Sequence, residues 1–199
     1  MDDERLMAAT ARGNAQAFSG LVDRHADRVM AFAFNVLGSR SEAEDVSQDV
    51  FITLWQKAGE WQPSRAKLST WLFQITRNAA LNYRQRTRSR EAHWHDAPPE
   101  VPSDALGPEQ HAMDEDDRRA LDTAVAGLPE QQRSALRLVV REGLSNREAA
   151  MVMGCSVKAL EGLLVRARRQ LRSTLQHHDS LDELSLIHIS EPTRPLYIS

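Results

Sequence analysis

The stretch LSNREAAMVMGCSVKALEGLLVRARRQLR, residues 144–172, predicts two short helices joined by a tight turn. Ser145 and Glu148 have the three-residue spacing of a capping box, which starts the first helix. Gly154 supplies the positive φ that a sharp turn needs, and Ser156 caps the second helix. Such a helix-turn-helix is a common way to place a helix in the DNA major groove.

The second helix of this stretch is amphipathic, because apolar residues recur every three or four positions. The residues expected to be buried are Val157, Leu160, Leu164, Ala167 and Leu171. The candidate DNA contacts are Ser156, Lys158, Glu161, Gly162, Val165, Arg166, Arg168 and Arg169. A helical hairpin in a bundle, with a solvated basic face, is the alternative interpretation.

Composition places the chain among globular proteins of one large or two small domains, with 199 residues, 41% hydrophobic and 27% charged. The sequence has neither a signal-peptide pattern at its start nor an apolar run long enough to span a membrane, so we expect a cytoplasmic protein without membrane insertion. The single cysteine, Cys155, excludes an internal disulfide and a thiolate zinc site.

Charge is strongly segregated along the chain. Residues 61–90 contain seven basic and no acidic residues, 91–130 contain two basic and eleven acidic, and 131–176 contain nine basic and three acidic. The first basic block is therefore a second candidate for nucleic-acid binding, with an incidental solvated face as the alternative.

Apolar periodicity over residues 4–37 predicts a short and a longer helix, with a break at Gly13-Asn14 and a stop at Gly38. His25 lies on the apolar side and is expected to be packed and hydrogen-bonded. Ser41 and Glu44 predict a second capping box for the next helix. The polar side of that helix carries Asp45, Gln48, Asp49 and Thr53, a surface for solvent or for a basic partner.

Residues 59–69 are predicted to form a loop, in which Trp61, Arg65 and Lys67 are suited to hold an unstacked base. From Thr70 the periodicity predicts a helix. Its exposed side carries arginines, which suit phosphates, and asparagines, which suit base edges: Arg77, Asn78, Asn82, Arg84, Arg86 and Arg88.

The predicted architecture is all-α, with two small helical domains at 1–90 and 114–176. Residues 91–113 are acidic and proline-containing, which is typical of a flexible linker. Residues 177–199 resemble translated vector or adaptor sequence in their last part, and a disordered natural tail is the alternative. The histidines near the linker lack further ligands at defined spacing, so we expect no metal and no cofactor.

Three motifs in a fixed order carry a family resemblance: EAEDVSQDVFITLW at 42–55, LSTWLFQITRNAALNYRQR at 68–86, and the segment that starts with LPEQQRSALRLVV at 128 and runs to 172. Over residues 4–175 the chain resembles bacterial sigma factors of the extracytoplasmic-function type. The resemblance implies a non-catalytic, two-domain subunit that binds core RNA polymerase and promoter DNA and takes no small-molecule substrate, with an anti-sigma factor as a further partner.

The resemblance also implies roles for particular residues. Those expected to contact core polymerase are Asp45, Gln48, Asp49, Leu54 and Trp55. Those expected at the minus-ten element are Trp61, Arg65, Lys67, Arg77, Asn78, Asn82, Arg84 and Arg86, with loop 59–69 capturing a flipped base. The linker would run toward the RNA exit path, and the outward residues of the last helix would meet the minus-thirty-five element.

The recognition helix departs from the family's commonest lysine, serine and arginine, since this chain has Glu161, Gly162 and Leu163. Arg166, Arg168 and Arg169 keep the family's basic run, which favours backbone binding. Glu161 either accepts from a cytosine amino group or pairs with an arginine. The competing functions are a sigma-like mimic that titrates an anti-sigma factor, a one-component helix-turn-helix regulator and, least supported, an enzyme.

Overall fold

The computed structural model describes residues 2–91 and 115–175, which we call the N-terminal half and the C-terminal half. Every regular element within these ranges is helical, so the predicted all-α class is confirmed. The elements of the N-terminal half are α1 (Asp3–Thr10), α2 (Ala15–Leu37), α3 (Arg40–Lys57), a 3-10 turn (Ala58–Glu60) and α4 (Leu68–Glu91).

The N-terminal half is built around α2, which packs against α1, α3 and α4. Asn14, at the predicted break, caps α2 by accepting a hydrogen bond from the Ala17 amide. Gly38 ends α2 with a φ of 79°, at the predicted stop. In the core the rings of Phe32 and Phe73 meet edge to face, with centroids 5.2 Å apart. This core fixes the relative positions of α3 and α4.

The C-terminal half contains α5 (Glu115–Ala126), α6 (Glu130–Leu136), a π-helical turn (Arg137–Arg141), α7 (Asn146–Met153) and α8 (Val157–Leu175). Helix α8 packs against α5, α6 and α7. One buried cluster of this half joins residues of α5, α6 and α8 through Ala124, Leu128, Leu136, Ala167 and Leu171.

The two halves contact each other, because α7 packs against α4 and α6 against α2. The largest buried apolar cluster continues from the N-terminal half into the C-terminal half, where it includes Leu138, Leu144 and Ala149. Residues 92–113 of the predicted linker and the predicted tail 177–199 lie outside the described residues. Within the described ranges, none of the helices has the combination of length and apolar composition needed to cross a bilayer.

Three local expectations were wrong. The cap of α3 is Ser39, which accepts from the Glu42 amide, rather than the predicted pair Ser41 and Glu44. Val157, predicted to be buried, is 40% exposed, since it is the first residue of α8 and precedes the packed part of the helix. Helix α4 begins at Leu68, so it takes in the last two residues of the predicted loop.

Candidate polymerase and nucleic-acid surfaces

The outer face of α3 combines carboxylates with an aromatic ring. Asp45, Gln48 and Asp49 are exposed. Trp55 is 39% exposed, and its ring packs edge-on against Phe18 of α2 at a centroid distance of 5.1 Å. The ring is therefore held in one orientation beside an acidic surface, an arrangement that suits a partner with basic side chains around an apolar contact.

Leu54, one of the five residues expected on this face, is fully buried. Its side chain anchors α3 to the core and is not available to a partner in this conformation. The sequence interpretation missed Ile52, which is 53% exposed. Ile52 follows Gln48 by four residues and Asp49 by three, so helical spacing alone places it on the same face.

A shallow cleft of about 340 Å³ lies between the exposed faces of α3 and α4. It is lined by Asp45, Gln48, Asp49, Tyr83, Arg86 and Thr87. Burial, together with the carboxylates of Glu42 and Asp45, raises the pKa of the Tyr83 phenol. The phenol therefore stays neutral at physiological pH and can act as a hydrogen-bond donor next to the acidic face.

The three predicted base-capture residues of the loop do not converge. Trp61 is half-buried against the apolar core, and its indole Nε1 is buried without a hydrogen-bond partner among the described residues. Arg65 is exposed. The Lys67 side chain is 72% exposed, and its Nζ lies 3.2 Å from Oε1 of Glu148 in α7.

Helix α4 exposes both residue types predicted to contact DNA, asparagine and arginine. Asn78, Asn82 and Arg86 are exposed, whereas Arg77 and Arg84 are half-buried. The Nη1 atom of Arg84 donates to the Val36 carbonyl oxygen at 3.5 Å. The two asparagines are one helical turn apart, so their amides share one face and can reach neighbouring bases.

The predicted helix-turn-helix is present in α7 and α8. The Ser145 amide donates to Glu148 Oε2 at 2.8 Å and the Glu148 amide donates to Ser145 Oγ at 3.2 Å, which completes the capping box. The hydrogen bonds that the Ser145 amide and then the Ser145 hydroxyl donate to the Glu148 carboxylate lower the pKa of Glu148. Gly154 ends α7 with a φ of 63°, and Ser156 Oγ accepts from the Ala159 amide at 3.1 Å.

Helix α8 separates its apolar and polar sides as expected, apart from Val157. The buried residues are Leu160, Leu164, Ala167 and Leu171. Of the predicted DNA contacts, Ser156, Lys158, Glu161, Val165, Arg166 and Arg169 are exposed, and Gly162 and Arg168 are half-buried. A Cβ added at Gly162 would lie 3.4 Å from Arg166 Nη1, so the guanidinium of Arg166 lies over the glycine.

The C-terminal part of α8 forms a basic depression of about 500 Å³. Its lining residues are Val165, Arg168, Arg169, Arg172 and Ser173. Three guanidinium groups around one depression favour a phosphate backbone over a single base edge.

Sequence reasoning missed the polar contacts between the halves. Arg28 Nε donates to Glu142 Oε2 at 2.7 Å, and Asn35 Nδ2 donates to Ser134 Oγ at 2.9 Å. About a hundred residues separate the partners in each pair, so no local pattern points to them. The one available signal was an asparagine, Asn35, within an apolar stretch of α2.

Comparison with known families gives two matches. Residues 21–90 match Sigma-70 region 2, and residues 118–171 match Sigma-70 region 4. The chain is 34% identical over 161 residues to the ECF RNA polymerase sigma factor SigE of Mycolicibacterium smegmatis, covering 80% of this chain and 62% of that protein. It is 32% identical to the ECF RNA polymerase sigma factor RpoE of Cereibacter sphaeroides, covering 78% of this chain and 84% of that protein.

A solved structure shares the fold. The sigma factor RpoE of Bartonella quintana, crystallised with the anti-sigma factor NepR, superposes with a TM-score of 0.63 at 28% sequence identity. The match covers 80% of this chain and 96% of that one.

Proposed function

Because the chain belongs to the extracytoplasmic-function group of sigma-70 factors, we propose that it binds core RNA polymerase and directs it to promoters with a minus-ten and a minus-thirty-five element. In this role the protein acts in the cytoplasm, where it binds RNA polymerase and positions it on promoter DNA without catalysing a chemical step. One observation carries this proposal: the N-terminal half has an exposed acidic face on α3 and an exposed amide-and-arginine face on α4, while the C-terminal half has a helix-turn-helix.

In this proposal the acidic face of α3 docks on core polymerase through Asp45, Gln48, Asp49 and Trp55, with Leu54 supporting it from the core. Two carboxylates one turn apart, and the indole of Trp55 further along α3, present charge and apolar area to the same partner. Ile52 also belongs to this surface, because its side chain is exposed.

The minus-ten element is read by α4 and the loop before it. Asn78 and Asn82 offer paired donors and acceptors to base edges, and Arg77, Arg84 and Arg86 serve the backbone. Arg65 and Lys67 extend the basic surface into the loop. Trp61 is half-buried, so capture of an unstacked base on its ring requires the loop to move.

The minus-thirty-five element is bound by α8. The exposed N-terminal part, with Ser156, Lys158, Glu161, Gly162 and Val165, enters the major groove, since a recognition helix reads bases from that end. Arg166, Arg168 and Arg169 lie later in the helix and hold phosphates.

An anti-sigma factor is the proposed regulatory partner. A relative of known structure was solved bound to one, and the exposed acidic face of α3 is a surface whose occlusion would prevent polymerase binding. Such a partner would make promoter recognition responsive to a signal.

The test is initiation by purified core polymerase on a library of promoter fragments, with and without the chain. The chain should select fragments that share two elements, and Asp49→Arg should abolish both selection and pull-down of core polymerase while leaving the helical circular dichroism unchanged. Asp23→Arg makes the same charge change at an exposed position of α2 and should bind core polymerase as the wild type does.

Two outcomes would contradict the proposal. Failure of the wild-type chain to support initiation, combined with binding to an anti-sigma factor, would instead identify a titrating mimic. Sequence-specific DNA binding that needs no polymerase would identify a one-component regulator.

A further inference from the structure

The carboxylate of Glu161, on the exposed side of α8, stands apart from the other carboxylates of the C-terminal half. Residues 130–175 contain four carboxylate side chains, and three of them form ion pairs with the N-terminal half. The pairs are Glu142 with Arg28 at 2.7 Å, Glu148 with Lys67 at 3.2 Å and Glu130 with Arg84 at 3.8 Å. Within residues 2–91 and 115–175, the Glu161 side chain takes part in no ion pair and no hydrogen bond.

Two cations of α8 are close to Glu161 in the chain, and neither is paired with it. Lys158 precedes Glu161 by three residues, a spacing at which two side chains of a helix can meet, but both remain exposed. The Arg166 guanidinium lies over Gly162, where an added Cβ would be 3.4 Å from Nη1 and 3.9 Å from Nη2. Pairing of Glu161 with an arginine, the alternative that the sequence left open, is therefore not what the structure shows.

The dipole of α8 does not explain this carboxylate either. The positive end of a helix stabilises acidic residues mainly in the first turn, and the effect falls off beyond it. Helix α8 begins at Val157, its first turn contains no acidic residue, and Glu161 begins the second turn. An exposed, unpaired carboxylate at this place contributes little to folding, so its role is sought in what the helix binds.

Glu161 lies on the part of α8 that suits base edges. A recognition helix contacts bases through its N-terminal residues, and Glu161 is the fifth residue of α8. Val165, which is 66% exposed, follows four residues later, so the two side chains share one face with about 5–6 Å between their Cβ atoms. The basic depression around Arg169 and Arg172 comes later in the helix and suits phosphates.

The hydrogen-bonding groups of the major groove select one base for a carboxylate, because an ionised carboxylate can only accept. Guanine and thymine present acceptors there, and adenine presents an amino group next to the acceptor N7. Cytosine presents its N4 amino group without an acceptor beside it. Since a duplex carries one negative charge per about 1.7 Å of its axis, a carboxylate in the groove without a donor would be repelled.

From this placement we propose that Glu161 reads a cytosine of the minus-thirty-five element by accepting a hydrogen bond from its N4 amino group. The inference rests on the proposed sigma-factor function and adds to it a base and an atom. It also makes Glu161 a discriminating residue, because the other three bases leave the carboxylate unpaired or facing an acceptor.

The test is initiation by core polymerase with the full chain on a library that varies only the minus-thirty-five element of a promoter selected by the wild type. One position should favour cytosine over each other base by at least about fivefold, the lower end expected for one specific base contact. Glu161→Gln should change the preference at that position alone from cytosine to adenine, because an amide pairs with adenine N6 and N7. Glu161→Ala should lose the preference there.

Two controls separate base reading from loss of charge or of stability. Asp23→Asn also replaces an exposed carboxylate by its amide, but on α2, and should keep the wild-type preference. In the second, N4-methylcytosine replaces the favoured cytosine, so that a methyl group takes the place of the amino hydrogen that faces the major groove while pairing with guanine remains. Initiation by the wild type should fall several-fold, whereas initiation by Glu161→Ala should not change.

Several outcomes would overturn the reading of cytosine by Glu161 and leave the sigma-factor function standing. They are the absence of a cytosine-selective position, a uniform effect of Glu161→Gln on all sequences, a uniform gain by Glu161→Ala, and an equal effect of N4-methylcytosine on the wild type and Glu161→Ala. A uniform gain would mean that the carboxylate only repels phosphates. Failure of the wild type to initiate from any fragment would refute the function itself, and the inference with it.

Discussion

His25 lies in α2 with 4% of its surface exposed, and its Nε2 is 3.0 Å from Oδ2 of Asp3 in α1. Burial lowers the pKa of His25 from 6.5, against the opposing effect of Asp3. The unfolded chain therefore binds a proton more readily than the folded one. His25 makes its full contribution to the free energy of unfolding above pH 6.5, and this contribution is lost as the pH falls through the lower pKa of the folded state.

The expected result is a fall in the free energy of unfolding of the wild type as the pH drops below 6.5, measured by urea denaturation. His25→Gln retains a donor for Asp3 but does not titrate, so its unfolding free energy should vary less over the same interval. Equal pH dependence in both proteins would contradict the role assigned to His25.

The asparagines of α4 and the arginines of α8 should differ in what they contribute to promoter binding. Asn78→Ala or Asn82→Ala should cost about 1–3 kcal/mol on the preferred minus-ten element and much less on scrambled DNA. Arg168→Ala or Arg169→Ala should weaken binding to all sequences and reduce the salt slope by about one unit each. Initiation from a promoter library at two salt concentrations measures both effects. Uniform loss by the asparagine variants and altered base preference in the arginine variants would reverse the roles.

For individual helices, the sequence predicted the ends correctly where they depend only on residues close by in the chain. The break at Gly13-Asn14, the cap at Ser145 and the helix-ending glycines at 38 and 154 need only their own neighbours, and all are in place. The cap of α3 was predicted at the wrong serine, because Ser39 and Ser41 each stand three residues before a glutamate. In the structure the packed helix begins directly after Ser39. Val140 closes the apolar end of LPEQQRSALRLVV but is 50% exposed, and it lies in the π-helical turn Arg137–Arg141.

The two glycines of the helix-turn-helix should respond oppositely to the same substitution. Gly154→Ala should destabilise the protein by about 1–2 kcal/mol, because its φ of 63° is costly for any residue with a Cβ. Gly162→Ala should stabilise it by about 0.5–1 kcal/mol, since the position is helical. Its new Cβ meets only the movable end of Arg166 at 3.4 Å.

Urea denaturation of the wild type and of the two single variants measures these changes in the free energy of unfolding. Promoter selection by Gly162→Ala should shift as well, because the new methyl group touches the Arg166 guanidinium on the recognition helix. A stabilised variant with unchanged selection would show that Arg166 holds phosphate in either position.

For the whole molecule, the sequence predicted two helical halves and the acidic and basic faces, but not that the halves meet. Hydrophobic periodicity shows that a side chain is buried and not what buries it, so it gives no sign that the cluster containing Leu138, Leu144 and Ala149 extends into the other half. Segregation of charge was visible in the sequence. Its consequence, that Glu130, Glu142 and Glu148 face cations of the N-terminal half across the contact, depends on three-dimensional placement.

A single proteolytic cut within residues 92–114 should therefore leave the two halves associated. At about 0.1 M salt the fragments should co-elute in size exclusion, because the ion pairs, the Asn35 network and the shared apolar cluster all remain intact. At about 1 M salt the screening length falls to roughly 3 Å, the exposed Lys67–Glu148 pair loses most of its attraction, and the fragments should begin to separate. Glu142→Gln should separate at lower salt than the wild type, since it removes the charge of the least exposed pair. Separation already at 0.1 M would contradict the stability assigned to the contact between the halves.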